Sequence, residues 1–243
     1  MTSRQRIDRL LVERGLFESR ARAQAAIAAG LVRVNGAPVR RSSDEVALDA
    51  AIEATPEHPW ASRGGVKLTA ALDAFAIDPG GQTCLDVGAS TGGFTDVLLA
   101  RGARRVYAVD VGRGQLHPRL RDRPEIVSLE ETDIRTATSA QIQEQADIVV
   151  IDASFISLKL VLPPAIFFAA PRATLVALVK PQFEAERRAI KKGIVRDAVV
   201  HERICGEMTD FVRSLGWRVM GIMPSPISGG DGNQEFLLGA ARD

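Results

Sequence analysis

The sequence predicts an α/β chain in which a mostly parallel seven-stranded sheet, flanked by helices, follows a small α+β unit. Three observations carry this. From residue 84 onward, short apolar runs of strand length alternate with stretches of helical period, as in a parallel sheet covered on both faces. Residues 4–57 instead pack two short helical periods and a tight-turn hairpin into little length. Charge is also uneven. Residues 1–41 carry nine arginines against three acids, although the formal net charge of the chain is only +1.

In the head, Ile7, Leu10 and Leu11 recur at i, i+3, i+4, which makes a short amphipathic helix that Gly15 stops. Ser19 caps a second helix, with Ala23, Ala26 and Ile27 on one face, and Gly30 ends it. Leu31–Val34 reads as a strand and Asn35-Gly36 as a two-residue hairpin turn. The segment 44–57 holds five acids and no base, so it is expected to face away from any phosphate. The expected division is a head over 1–58, a linker over 59–65 punctuated by Pro59-Trp60 and Gly64-Gly65, and a body over 66–243.

In the body, strands are expected at Cys84–Val87, Val106–Val109, Ile126–Leu129, Ile148–Ile151, Leu175–Val179, Arg218–Met223 and Glu235–Leu238. Helices are expected at Phe94–Arg101, near 157–170 and near 198–215. The most apolar stretch, Leu160–Ala170, is too short to span a bilayer and contains Pro163 and Pro164. The first residues are polar and charged, unlike a signal peptide. Cys84 and Cys205 lie far apart, and no metal-ligand spacing is visible. A reducing, cytoplasmic location without membrane or metal is the expectation.

The run Leu85-Asp86-Val87-Gly88-Ala89-Ser90-Thr91-Gly92-Gly93-Phe94 joins a strand to a helix. Glycines there let a backbone approach a ligand, and the helix start offers free N–H groups. Ala89-Ser90-Thr91 separates Gly88 from Gly92, so this is not the dinucleotide fingerprint, which speaks against a nicotinamide oxidoreductase. Asp110, with Val111 beside it, ends the next strand, where a carboxylate meets ribose hydroxyls. Asp133 lies beyond the third strand, in reach of a purine amino group. Four more charges fall where the carboxyl edge of the sheet opens: Lys67, Asp152, Lys180 and Glu235. A charge ending a buried apolar strand is costly unless paired, so these four are expected to contact one another.

The Gly88–Phe94 loop, Asp152-Ala153-Ser154-Phe155-Ile156-Ser157 and Val179-Lys180-Pro181-Gln182-Phe183-Glu184 resemble the TlyA family of FtsJ-like ribose methyltransferases. The head, from Arg6-Ile7-Asp8 through Ser19-Arg20 to Val32-Arg33-Val34-Asn35-Gly36, resembles the RNA-binding module named after small-subunit ribosomal protein S-four. The resemblance implies a Rossmann-like catalytic body using S-adenosylmethionine. It also implies a cytidine 2′-hydroxyl of ribosomal RNA, free or in a subunit, as acceptor. The family's ordered Lys-Asp-Lys-Glu tetrad falls on Lys67, Asp152, Lys180 and Glu235, with Lys180 as base, Asp152 orienting it, and Glu235 with Lys67 holding the hydroxyl. Gly88 to Phe94, Asp110, Val111, Asp133 and Asp152 are then the cofactor contacts. Trp60 falls where the family has an inter-domain linker, usually Arg-x-Trp-Val; here the run is His58-Pro59-Trp60-Ala61. Longer relatives carry a further C-terminal helix, so the stop soon after Glu235 implies the shorter subtype and a large-subunit target.

Within such a protein the head supplies affinity rather than chemistry, and Arg4, Arg6, Arg20, Arg22 and Arg41 are the expected phosphate contacts. A monomer is the default. The rival is an RNA-binding protein in ribosome assembly whose body is catalytically silent; the intact tetrad speaks against it. A carbon-5 base methyltransferase needs a cysteine nucleophile, but Cys84 falls in a core strand and Cys205 in a helix.

Overall fold

The computed structural model describes residues 3–243. The chain divides into two compact units, one ending at Pro59 and the other running from Trp60 to Asp243.

The first unit contains β1 (Arg4–Arg6), α1 (Ile7–Glu13), α2 (Arg20–Ala28), β2 (Val32–Val34), β3 (Ala37–Pro38), β4 (Glu45–Ala47) and β5 (Ile52–Ala54). Ser19 caps α2 by accepting from the Arg22 N–H. Asn35 and Gly36 both take positive φ, 50° and 79°, the primed turn that suits the twist of β2 and β3. The acidic segment contributes two strands too short for periodicity to show: β4 pairs with β1, and β5 with β2. Ile7 and Leu11 of α1, Ala23, Ala26 and Ile27 of α2, and Val32 form the core between helices and strands.

The second unit contains α3 (Gly64–Ala74), β6 (Thr83–Val87), α4 (Gly93–Ala100), β7 (Arg105–Val109), α5 (Pro118–Arg121), β8 (Ile126–Leu129), β9 (Ala146–Ile151) and α6 (Leu158–Phe167). It continues with β10 (Ala169–Val179), α7 (Pro181–Glu184), α8 (Ala198–Ser214), β11 (Arg218–Pro224) and β12 (Phe236–Arg242). Its seven strands lie in the order β11-β12-β10-β9-β6-β7-β8. β12 alone is antiparallel to its neighbours β10 and β11. The expected mostly parallel seven-stranded sheet is the one observed.

Alternate residues of the strands bury on opposite faces. Leu85, Val149, Ile151 and Leu175 pack with α6 and α8, through Leu162, Ile204 and Met208. Cys84, Ile148, Val150 and Val176 pack with α3 and α4, through Leu68, Leu72, Val97 and Leu98. This two-sided burial is why the strands read as continuous apolar runs rather than alternating ones.

Three expectations need correction. Residues 60–65, expected as part of a linker, belong to the second unit. The Ala61 N–H donates to Asp96 Oδ2 at 2.7 Å, and Gly64-Gly65 opens α3 instead of marking a turn. Gly65 is required there because a Cβ would lie 2.4 Å from the Trp60 ring. The fifth body strand is longer than Leu175–Val179, since it starts at Ala169 and absorbs a register shift before Thr174. The last strand runs Phe236–Arg242 rather than Glu235–Leu238.

Candidate active site

Because β6, β7, β9 and β10 are parallel, the residues that follow them emerge at one edge of the sheet. These are Gly88, Asp110, Asp152 and Lys180. β12 runs the other way, with Phe236 opposite Val179, so the residue before it, Glu235, reaches the same edge. Lys67 arrives from the first turn of α3.

These charges form two close pairs. Lys67 Nζ donates to Glu235 Oε2 at 2.5 Å, and Lys180 Nζ lies 2.5 Å from Asp152 Oδ1. The second contact is an ion pair outside hydrogen-bond alignment. The aligned bond of Lys180 goes to Ser154 Oγ at 2.7 Å. Lys67, Lys180 and Glu235 are buried and Asp152 half-buried, so each charge sits where it needs its partner. All four line one cavity of about 350 Å³, together with Gly88, Ala89, Ser90, Thr91, Gly93 and Phe94.

A larger cavity of about 840 Å³ adjoins it and shares Gly88, Ser90, Asp152, Ser154 and Phe155. It holds the other expected ligand contacts, Asp110, Val111 and Asp133. Gly92 lines neither cavity; it caps α4 at φ +87°, and a Cβ there would lie 2.4 Å from Leu120. Gly88 is the close approach: at φ +83°, a Cβ would lie 2.6 Å from the Asp152 carbonyl oxygen. Asp110 accepts from the Ser90 N–H at 2.8 Å and from the Gly112 N–H at 2.7 Å, one bond per oxygen, which leaves each oxygen a further lone pair. Asp133 accepts from the Arg135 guanidinium at 2.6 Å, and this bond holds its carboxyl below the usual range.

Val111 and Leu160 stand exposed on the wall of the larger cavity, apolar faces that a flat ring would cover. The loop carrying Val111 and Gln115 is fixed from below by Glu130. Its carboxylate accepts from the N–H groups of Leu116 at 3.0 Å and of Gly114 and Gln115 at 2.6 Å. The arrangement offers glycine-lined backbone, ribose-type acceptors and an apolar slot, which together fit a nucleoside-bearing cofactor.

Sequence reasoning missed several residues here. Ser154 takes the aligned bond of Lys180. Phe155 is 91% exposed at φ 64° on the cavity mouth, with its ring 5.3 Å from that of Phe183. A left-handed non-glycine residue costs about 1–3 kcal/mol and is held only where its surroundings over-determine it. The visible signal was an aromatic three residues past the strand-ending Asp152. Asp86 is fully buried in β6; it accepts from Thr95 Oγ1 at 2.6 Å, while its other oxygen has no partner. Burial, with the fields of Asp152 and Asp110, pushes this carboxyl up to about 7.

The expected phosphate contacts lie in the first unit. Arg6 and Arg20 both donate to the buried Asp8 carboxylate, at 3.1 Å and 2.8 Å. Arg22 pairs with Glu18 and donates to the His58 carbonyl, both at 3.1 Å. The Arg4 guanidinium donates to the Glu45 carbonyl, and Arg41 is exposed.

Comparison with known proteins gives the family. FtsJ-like methyltransferase matches residues 60–242, and S4 domain matches residues 5–52. The chain belongs to the FtsJ-like methyltransferase family. Within that family it is 45% identical to the 16S/23S rRNA (cytidine-2'-O)-methyltransferase TlyA of Mycobacterium tuberculosis, over 98% of this chain and 90% of that one. It is 38% identical to Hemolysin A of Brachyspira hyodysenteriae, over 96% of this chain and 98% of that one. A solved structure from Streptococcus thermophilus is 39% identical and superimposes with a TM-score of 0.77, covering all of this chain and 90% of that one. The similarity to both relatives thus runs over nearly the full chain, through both of its units.

Proposed function

We propose that this chain transfers a methyl group from S-adenosylmethionine to the 2′-hydroxyl of a cytidine in ribosomal RNA, acting in the cytoplasm as a monomer on free RNA or on a subunit. One observation carries the reading. The pairs Lys67–Glu235 and Lys180–Asp152 face a single cavity that opens, through Gly88, Ser90 and Asp152, into the cavity suited to a nucleoside.

When bound, the cofactor supplies an electrophilic sulfonium methyl. Gly88, Asp110, Val111 and Asp133 would hold it, with Asp152 at the junction of the two cavities. The residues of the chain do the rest. A ribose hydroxyl is a poor nucleophile and needs a positioned base. Lys180 would be that base: once its ammonium has given up a proton to solvent, Nζ accepts the hydroxyl proton. Asp152 keeps the resulting ammonium paired and Ser154 fixes its direction. The Lys67–Glu235 pair holds the hydroxyl oxygen in line. Such a general base contributes about 10²- to 10⁴-fold. The arginines of the first unit position RNA through phosphates, without reading bases. Among the described residues, no helix is long and apolar enough to cross a membrane.

The test uses labelled S-adenosylmethionine and rRNA from a strain lacking the gene, with products digested to nucleosides and identified by mass. Ribose-methylated cytidine, lost in Lys180→Ala while cofactor binding persists, is the expected result. Methyl on a base, or undiminished transfer by Lys180→Ala, overturns the assignment.

A further inference from the structure

Residues 60–243 hold 22 basic and 22 acidic side chains, yet five of those bases stand within 187–196, where there is no acid. They are Arg187, Arg188, Lys191, Lys192 and Arg196, all exposed, on the segment between α7 and α8. Neighbouring carboxylates do little to neutralise them. Glu186 pairs with Arg188 at 2.7 Å, and Asp197 caps α8 through the Val199 N–H. Among the described residues, no carboxylate pairs with Arg187, Lys191, Lys192 or Arg196.

This segment is built, not merely solvated. Lys191 and Ile194 exchange both backbone hydrogen bonds, at 2.9 and 3.0 Å, around a two-residue turn. Lys192 and Gly193 take φ 51° and 79°, the primed geometry of a tight hairpin. Asn233, only 1% exposed, holds the hairpin from inside. Its Nδ2 donates to the Gly193 carbonyl at 2.9 Å, and its Oδ1 accepts from the Val195 N–H at 3.1 Å. Its own carbonyl accepts from the Gly229 N–H at 2.9 Å, in the loop whose Ile227, Ser228, Gly230 and Asp231 line the Lys67–Lys180 cavity. Glu235 follows two residues later. A single buried amide therefore ties a rigid basic hairpin to the wall of the reaction cavity.

We propose that this hairpin is a phosphate-binding surface on the catalytic unit itself. It grips the RNA backbone beside the acceptor nucleotide, and Asn233 sets its position against the cavity wall. The inference rests on the reading of the chain as an rRNA methyltransferase. Lysines on a tight turn present compact charges that suit phosphate and carry no base preference. A grip next to the cavity retains the RNA on the catalytic unit, so its loss weakens binding.

The test compares the full-length wild type, Lys191→Gln with Lys192→Gln, and Asn233→Ala. For each, rRNA affinity is measured across a salt series, together with methyl transfer. Each lost contact to single-stranded RNA lowers the slope of log affinity against log salt by about 0.7, so the double variant loses about 1.4. Its KM for rRNA rises severalfold while kcat and cofactor affinity hold. Asn233→Ala loses slope as well, although both lysines remain. Slopes equal to wild type in the double variant, while wild type methylates rRNA, overturn the hairpin proposal and leave the enzyme reading standing. No methyl transfer by wild type, with slopes that fall as expected, defeats the enzyme reading and leaves the hairpin as an RNA contact.

Discussion

Lys180 aligns its hydrogen bond on Ser154 Oγ at 2.7 Å, although Asp152 Oδ1 lies nearer at 2.5 Å. The carboxylate supplies charge and the hydroxyl supplies direction. A base must point its nitrogen at the proton it takes, and a flexible four-carbon stem does not do this unaided. Ser154→Ala keeps the ion pair and removes the aligned bond. A net hydrogen bond of about 1–1.5 kcal/mol corresponds to roughly a tenfold fall in kcat. The KM values for rRNA and cofactor are expected to stay, and Ser154→Thr to recover part of the loss. Steady-state kinetics decide it; a wild-type kcat in Ser154→Ala would remove Ser154 from the machinery.

Asp8 holds two arginines of the first unit, Arg6 and Arg20. Its buried carboxylate accepts from Arg6, Arg20 and Gln24, and these bonds, that of Arg6 foremost, hold it well below the usual carboxylate range. A depressed carboxyl stabilises the fold fully above its unfolded value, and that stability is lost as pH falls through the folded one. Acidification below about pH 4 should therefore lower the melting midpoint of the wild type more steeply than that of Asp8→Asn. At pH 7 the variant should melt earlier, since bonds to charged donors contribute about 1.5–3 kcal/mol. With Arg6 and Arg20 no longer held, its salt slope for rRNA binding should also shrink. Equal slopes in the two proteins would mean that neither arginine meets phosphate.

The seven strands and three of the six α-helices of the second unit, α4, α6 and α8, were legible because burial on both faces of a parallel sheet writes itself as apolar runs, whereas α3, α5 and α7 were not. The four charges were legible because ions at the ends of such runs demand partners. What stayed hidden depended on contacts between distant positions. Gly64-Gly65 reads as a chain breaker, and only the Trp60 ring lying on Gly65 explains why it opens a helix that carries Lys67. Strands β4 and β5, at Glu45–Ala47 and Ile52–Ala54, are three residues each, too short to show a period. The left-handed backbone of Phe155, the Glu130 cage under the Val111 loop and the Asn233 anchor leave no local trace at all. Asp86 stands in the sequence as a carboxylate inside an apolar strand, but its upward shift follows from burial in the surrounding sheet.

Asp86 gives the last prediction, and its sign is opposite to that of Asp8. Burial, with Asp152 and Asp110 adding negative field, raises this carboxyl to about 7 against the opposing bond from Thr95. Between the unfolded value near 4 and the folded value, the native state binds more protons than the unfolded chain. Stability is therefore expected to fall as pH rises through that window and to level off above pH 7, with a total of a few kcal/mol. Asp86→Asn cannot ionise, yet its side-chain oxygen still accepts from Thr95. Its amide nitrogen lies where Asp86 Oδ1 has no partner, so a constant penalty of about 1–3 kcal/mol is expected at every pH. The telling quantity is the slope. The melting midpoint of the wild type should decline between pH 5 and pH 7.5, and that of Asp86→Asn should decline much less. Parallel curves would show that Asp86 is ionised in the native sheet.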